Sequence, residues 1–68
     1  MSTYKIIEMV GTSPNSWEDA VKSVVSEAAQ SLRHLRVAEV SELDVTLTDG
    51  GEVQDFRAKV KVSIKHEG

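Results

Sequence analysis

The 68-residue chain is predicted to be one α+β domain spanning residues 1–68. The predicted order is β-α-β-β, a three-stranded antiparallel sheet wrapped around one helix. Three observations predict it. An amphipathic helical pattern runs from about Trp17 to Arg33. A short apolar stretch rich in β-favouring residues precedes it, and two stretches of alternating apolar and polar residues follow. Asp49-Gly50, between those last two, is a strong hairpin signal.

The first strand covers Tyr4 to Val10, and both of its faces carry apolar side chains. Gly11 and Pro14 are expected to end it, with Thr12, Ser13, Asn15 and Ser16 supplying turn hydrogen bonds. Ser16 is the expected N-cap, with Asp19 three residues on as a variant capping box. Glu18 and Asp19 complement the positive pole of the helix, and Arg33 and His34 the negative one. Trp17, Ala20, Val21, Val24, Ala28, Leu32 and Leu35 form one apolar stripe at helical spacing. Trp17 stands in register with that stripe, which makes it a packing residue rather than a ligand platform.

From Arg36 to Leu47 the pattern is a strand whose phase slips. Ala38 and Val40 point one way, and after Ser41-Glu42 the apolar set moves to Leu43, Val45 and Leu47. An odd shift in a period-two pattern requires a bulge or bend near Ser41-Glu42. The last strand, Glu52 to Lys65, puts Phe56, Ala58, Val60, Val62 and Ile64 on one face, against the helix stripe. Arg57, Lys59, Lys61, Ser63 and Lys65 lie on the other face, which Val37 and Glu39 share. The third strand is expected between the other two. One helix covers one face of the sheet, and an uncovered, partly apolar second face belongs in an oligomer.

Composition narrows the function. A chain this short buries only about 60% of its unfolded surface. There is no cysteine, so disulfides and thiolate metal sites are excluded and oligomerisation or an oxygen-ligated ion is the expected support. A net charge of −3 argues against a nucleic-acid partner. Met1–Lys5 lacks the apolar core of a signal peptide, and no apolar run reaches the roughly 20 residues of a membrane span. The expectation is a soluble cytoplasmic protein with no membrane partner.

No catalytic constellation is present. His34 and His66 have no nucleophile beside them in the pattern, so the protein is expected not to be an enzyme. The basic row Arg57, Lys59, Lys61 and Lys65 reads as a solvated face or as inter-subunit ion pairs; its alternative is an anion or phosphate contact, with Lys65 the candidate. Glu42, Asp44, Asp49, Glu52 and Asp55 are oxygen donors for a hard cation or, more simply, solubilising charges.

The element order, together with Tyr4-Lys5-Ile6-Ile7-Glu8, Val10-Gly11-Thr12-Ser13, Leu32-Arg33-His34-Leu35 and Glu39-Val40, resembles the dodecin family over nearly the whole chain. That resemblance implies a hollow homododecamer that binds a small ligand, usually flavin. Flavin-binding members carry a Trp that stacks on the isoalloxazine ring where this chain has Val37, and a Gln that contacts the flavin where it has Arg57. Valine offers no π-face for stacking. Arg57 on such a face needs a partner, for which Glu39 is the expected residue. Gly11-Thr12-Ser13-Pro14, Ser16-Trp17-Glu18 and Arg36-Val37-Ala38 resemble the calcium dodecin branch, which lacks the flavin Trp. The resemblance therefore implies calcium binding or sequestration, with flavin (riboflavin or FMN) storage in an atypical pocket as the alternative. The candidate calcium ligands are Glu8, Glu42 and Asp44, oxygen donors near a bulge or symmetry axis.

Overall fold

A computed structural model describes residues 1–66. Strand β1 (Thr3–Ser13) leads into helix α1 (Trp17–Ser31), and strands β2 (Leu35–Leu47) and β3 (Val53–His66) form a hairpin. The sheet order is β1-β3-β2, with β3 central and antiparallel to both neighbours. The domain is elongated, 52 × 20 × 15 Å. No helix among the described residues is long and apolar enough to cross a membrane.

The core is small-residue packing. Ala20 and Val24 of α1 cluster with Ala58, Val60 and Val62 of β3, and Ala28, one turn further along α1, is buried as well. Gly11 does not end β1, contrary to the sequence expectation; the strand continues to Ser13. A Cβ at Gly11 would run into the Ala20 carbonyl and a methyl of Val24. The glycine sits where helix and strand approach most closely, so a tertiary contact requires it, not a turn.

The β1–α1 turn is tied by buried Ser13. Its hydroxyl donates to the Asp19 carboxylate at 2.9 Å and accepts the Asn15 backbone N–H at 3.0 Å. Ser16 caps α1 as expected: its Oγ accepts the Asp19 N–H at 3.0 Å. The helix ends earlier than expected, because Leu32, half-buried, is already extended (φ −121°, ψ 150°). His34 follows in the left-handed region (φ 63°), so neither Arg33 nor His34 lies in the last helical turn.

The expected bulge is present: Val40 pairs with Val60 and Glu42 with Lys59, leaving Ser41 as the extra residue, its hydroxyl donating to the Lys59 carbonyl. Two further irregularities fall between Leu35 and Val37 and between Thr46 and Leu47. The hairpin turn closes through Gly51 (φ 82°) and a bond from the Thr48 N–H to the Glu52 carbonyl. Helix α1 packs on β1 and β3 far more than on β2. Val40 and Leu43 are therefore exposed although they lie on the helix side, and Leu47 and Val53 are exposed near the hairpin turn. Tyr4, Ile6, Val10 and Val37 are exposed on the opposite side. Apolar surface thus remains on both faces of the sheet, not on the uncovered one alone.

Candidate functional site

Residues opposed across an antiparallel pair share a face, so the register lays out the helix-free surface row by row. Ile6, Ser63 and Val37 form one row and Glu8, Lys61 and Glu39 the next. Val10, Lys59 and Glu42 follow, then Thr12, Arg57 and Asp44. Basic residues of the central strand are thereby set against carboxylates on the edges, most fully along β2.

The strongest contact of this face is bidentate. Arg57 Nε donates to Asp44 Oδ1 at 2.7 Å, and Nη2 to Oδ2 at 2.8 Å. That hydrogen bonding, helped by the charges of Arg57 and Lys59 and opposed by partial desolvation, holds the Asp44 carboxyl below its ordinary range. The same hydrogen bond and charge raise Arg57 further. Both side chains stay substantially exposed, 42% and 48%. Lys59 lies 3.8 Å from Glu42 in a looser pair. Lys61 stands between Glu8 and Glu39 and closes an ion pair with neither.

The partner of Arg57 is therefore Asp44 and not Glu39, which lies opposite Lys61. Glu39 does share the face of Arg57, but alternation fixes the face and not the position along it, and Glu39 lies four residues further along β3.

A second contact of Asp44 escaped the sequence reading. Its backbone carbonyl accepts the Trp17 indole N–H at 3.0 Å. The indole meets Phe56 edge-on, centroids 5.1 Å apart at 78°. The packing role expected of Trp17 holds, and its N–H also fastens the start of α1 to β2. The signal available was its position at the first turn of α1, with Phe56 on the helix-facing row of β3.

Of the three candidate ligands, Glu42 and Asp44 lie side by side on β2, while Glu8 is on the far edge strand, two strand spacings across and two and four residues along from them, about 12 and 16 Å away. Among the described residues no three His, Asp or Glu side chains gather around a common ion position. Val37 and Arg57 do not meet within one chain: their β3 positions are six residues apart, about 20 Å. Beside Val37 lies an open hollow of about 220 Å³ lined by Val25, Leu35, Arg36, Val37, Ala38 and Val62. Lys65 pairs with Tyr4, which directs its side chain to the charged face, away from Lys5 and His66.

Residues 3–67 match the model of the family described as Dodecin. A Mycobacterium tuberculosis protein named Calcium dodecin is 43% identical over 65 residues, spanning 96% of this chain and 90% of that protein. The crystal structure of a Thermus thermophilus dodecin variant superposes with a TM-score of 0.90 at 32% identity, covering 100% of both chains. The crystal structure of the M. tuberculosis calcium dodecin, described as calcium chelating with a novel calcium-binding site, superposes with a TM-score of 0.84 at 41% identity. It covers 97% of this chain and 93% of that one.

Proposed function

The chain belongs to the dodecin family, and on that premise we propose that it is a non-enzymatic binding protein that assembles as a dodecamer and binds or sequesters calcium. The observation that carries this reading is the pair Glu42 and Asp44, adjacent beside a strand bulge on the sheet face that Glu8 and Glu39 share. The relative named for calcium chelation supports it. So does Val37, an exposed aliphatic residue without a stacking surface.

The proposed ligands are Glu8, Glu42 and Asp44. Calcium takes about six to eight oxygens. One chain places only Glu42 and Asp44 together, and Arg57 occupies Asp44. The remaining donors come from neighbouring copies or from backbone carbonyls, so calcium affinity depends on assembly, and the ion competes with the Arg57 guanidinium. Calorimetric titration with calcium tests this. The double variant Glu42→Gln/Asp44→Asn is expected to lose at least about tenfold in affinity. Unchanged affinity would reject these ligands, and the absence of any calcium binding would reject the function.

A second reading, flavin binding, is favoured by the apolar hollow beside Val37. Strong quenching of riboflavin or FMN fluorescence by micromolar protein would put flavin in place of calcium. The purified protein is expected to be colourless.

A further inference from the structure

The turn between β2 and β3 is closed at Thr48. The Gly51 N–H donates to the Thr48 carbonyl at 2.9 Å, and the Thr48 N–H to the Glu52 carbonyl at 2.8 Å. The Glu52 N–H donates to the Thr48 hydroxyl at 3.2 Å. None of these bonds involves Asp49 or Gly50, which are both exposed. Of the two turn glycines only Gly51 is left-handed, at φ 82°. Gly50 occupies a corner that other residues also adopt. A Cβ there would meet only the Thr48 hydroxyl, at 3.8 Å, an ordinary contact. The turn therefore does not require glycine at position 50. What the missing side chain does is leave the Gly50 nitrogen unshielded.

That nitrogen follows an aspartate whose carboxylate is equally free. Among the described residues the Gly50 N–H has no acceptor, and the Asp49 carboxylate takes no hydrogen bond and no ion pair. The other aspartates are held. Asp19 accepts the Ser13 hydroxyl at 2.9 Å, and the N–H that follows it, of Ala20, donates to the Ser16 carbonyl at 3.1 Å. Asp44 is clasped by Arg57 through both oxygens. Asp55 lies inside β3, ahead of the bulky Phe56. The chain's one asparagine, Asn15, is followed by Ser16, whose N–H donates to the Ser13 hydroxyl at 3.4 Å. Only at Asp49 are a carboxyl and the next backbone nitrogen both unengaged, in an exposed turn and with no side chain between them.

We propose that Asp49-Gly50 is a modification site, at which the main chain isomerises to isoaspartate through a succinimide. The Gly50 nitrogen gives up its proton and bonds to Cγ of the Asp49 carboxyl in its acid form. The hydroxyl of that carboxyl leaves as water, and a five-membered imide closes. Solvent water then opens the imide in one of two ways. Breaking the bond from Cγ to nitrogen restores aspartate. Breaking the bond from the Asp49 main-chain carbonyl carbon to nitrogen leaves the chain running through Cβ and Cγ, with the former main-chain carbonyl as a free carboxylate. Nothing is oxidised or reduced, and the water lost is regained. The rerouted chain is one methylene longer inside the span that the Gly51-to-Thr48 bond closes. Its new carboxylate, branching from the main chain, is the chemistry that an S-adenosylmethionine-dependent protein carboxyl methyltransferase acts on. The site uses none of the carboxylates on the sheet face and stands independently of the calcium reading.

The test ages the assembled full-length protein in warm buffer at neutral pH. Samples are then methylated with a protein isoaspartate O-methyltransferase and labelled S-adenosylmethionine. Digestion with a protease that cuts before aspartate but not before isoaspartate locates the site. The expected result is label that rises with time, at unchanged protein mass before labelling, together with loss of cleavage before residue 49. Asp49→Glu, which would have to close a six-membered ring, is expected to lose the label. Gly50→Ala, whose methyl shields the nitrogen, is expected to lose most of it. Neither side chain is used by the turn, so both variants should unfold at the wild-type temperature, which shows that the fold is intact. The proposal is overturned if the aged wild type gains no label, or if the label maps to Asn15 or to another aspartate. A Gly50→Ala variant that gains label at the wild-type rate overturns it as well.

Discussion

Arg57 holds Asp44 with two nitrogens of its guanidinium, at 2.7 and 2.8 Å, while the backbone carbonyl of the same aspartate accepts the Trp17 indole N–H. One residue of β2 is thus fixed from β3 through its carboxylate and from α1 through its backbone. Asp44 is where the hairpin, the helix start and the proposed ion site meet.

Acid should loosen this junction. The Asp44 carboxyl lies below its unfolded value, so its contribution to stability is complete above the ordinary aspartate range and is lost as pH falls through the lowered value. Because the pair is exposed, the effect is small. Urea unfolding at about pH 5 and about pH 3 should show a larger loss for the wild type than for Asp44→Asn. Equal losses would mean that the pair contributes nothing to the acid limb.

Arg57 and a bound calcium ion would compete for the same oxygens. Arg57→Gln is therefore expected to tighten calcium binding about threefold to tenfold, by freeing Asp44 and removing a like charge. Calorimetry decides it, and weaker binding in the variant would place the ion away from Asp44.

Gly11→Ala should push α1 off β1, because the new methyl would overlap the Ala20 carbonyl and Val24. Overpacking of this kind costs about 1–3 kcal/mol. Chemical denaturation measures it, and a variant as stable as the wild type would show that the helix shifts without penalty.

Trp17→Phe keeps a ring against Phe56 and removes only the indole donor, for a loss of about 1 kcal/mol. Trp17→Ala removes both and should cost about 2 kcal/mol or more, since the side chain is only partly buried. Equal losses would make the hydrogen bond, not the ring contact, the dominant tie.

Sedimentation should show a particle of about twelve times the 7.5 kDa chain mass. Apolar side chains are exposed on both faces of the sheet, among them Ile6 at 62% and, on the helix side, Leu43. A stable monomer would contradict the assembly inferred from that surface.

The local features of the fold were legible in the sequence. Ser16 announces the helix start by a cap that needs no distant partner, Asp49-Gly50 marks the turn, and the slipped alternation marks the bulge at Ser41. The misreadings share one cause, contact with residues far along the chain. Gly11 looks like a strand end until α1 is packed on it. The end of α1 carries no glycine; Leu32 leaves the helix with an extended backbone, and nothing in the local sequence marks that point. The partner of Arg57 depends on the register of β2 against β3, which a shared face does not fix. Within the candidate site, the shared face of Val37, Glu39, Glu42, Asp44 and Arg57 was readable from alternation, whereas their distances along it were not.

Ser41 makes β2 one residue longer than its partner requires. Val40 and Glu42 oppose Val60 and Lys59, which are consecutive, so excising Ser41 would leave a regular ladder with every side chain still on its own face. Excising Leu43 instead would exchange the faces on one side of the gap. Position 41 is therefore where the hairpin tolerates shortening. What would vanish there is curvature, since a bulge adds local twist. The hydrophobic pattern and the shape of this arm are set by different residues, and the shape can vary while the pattern stays.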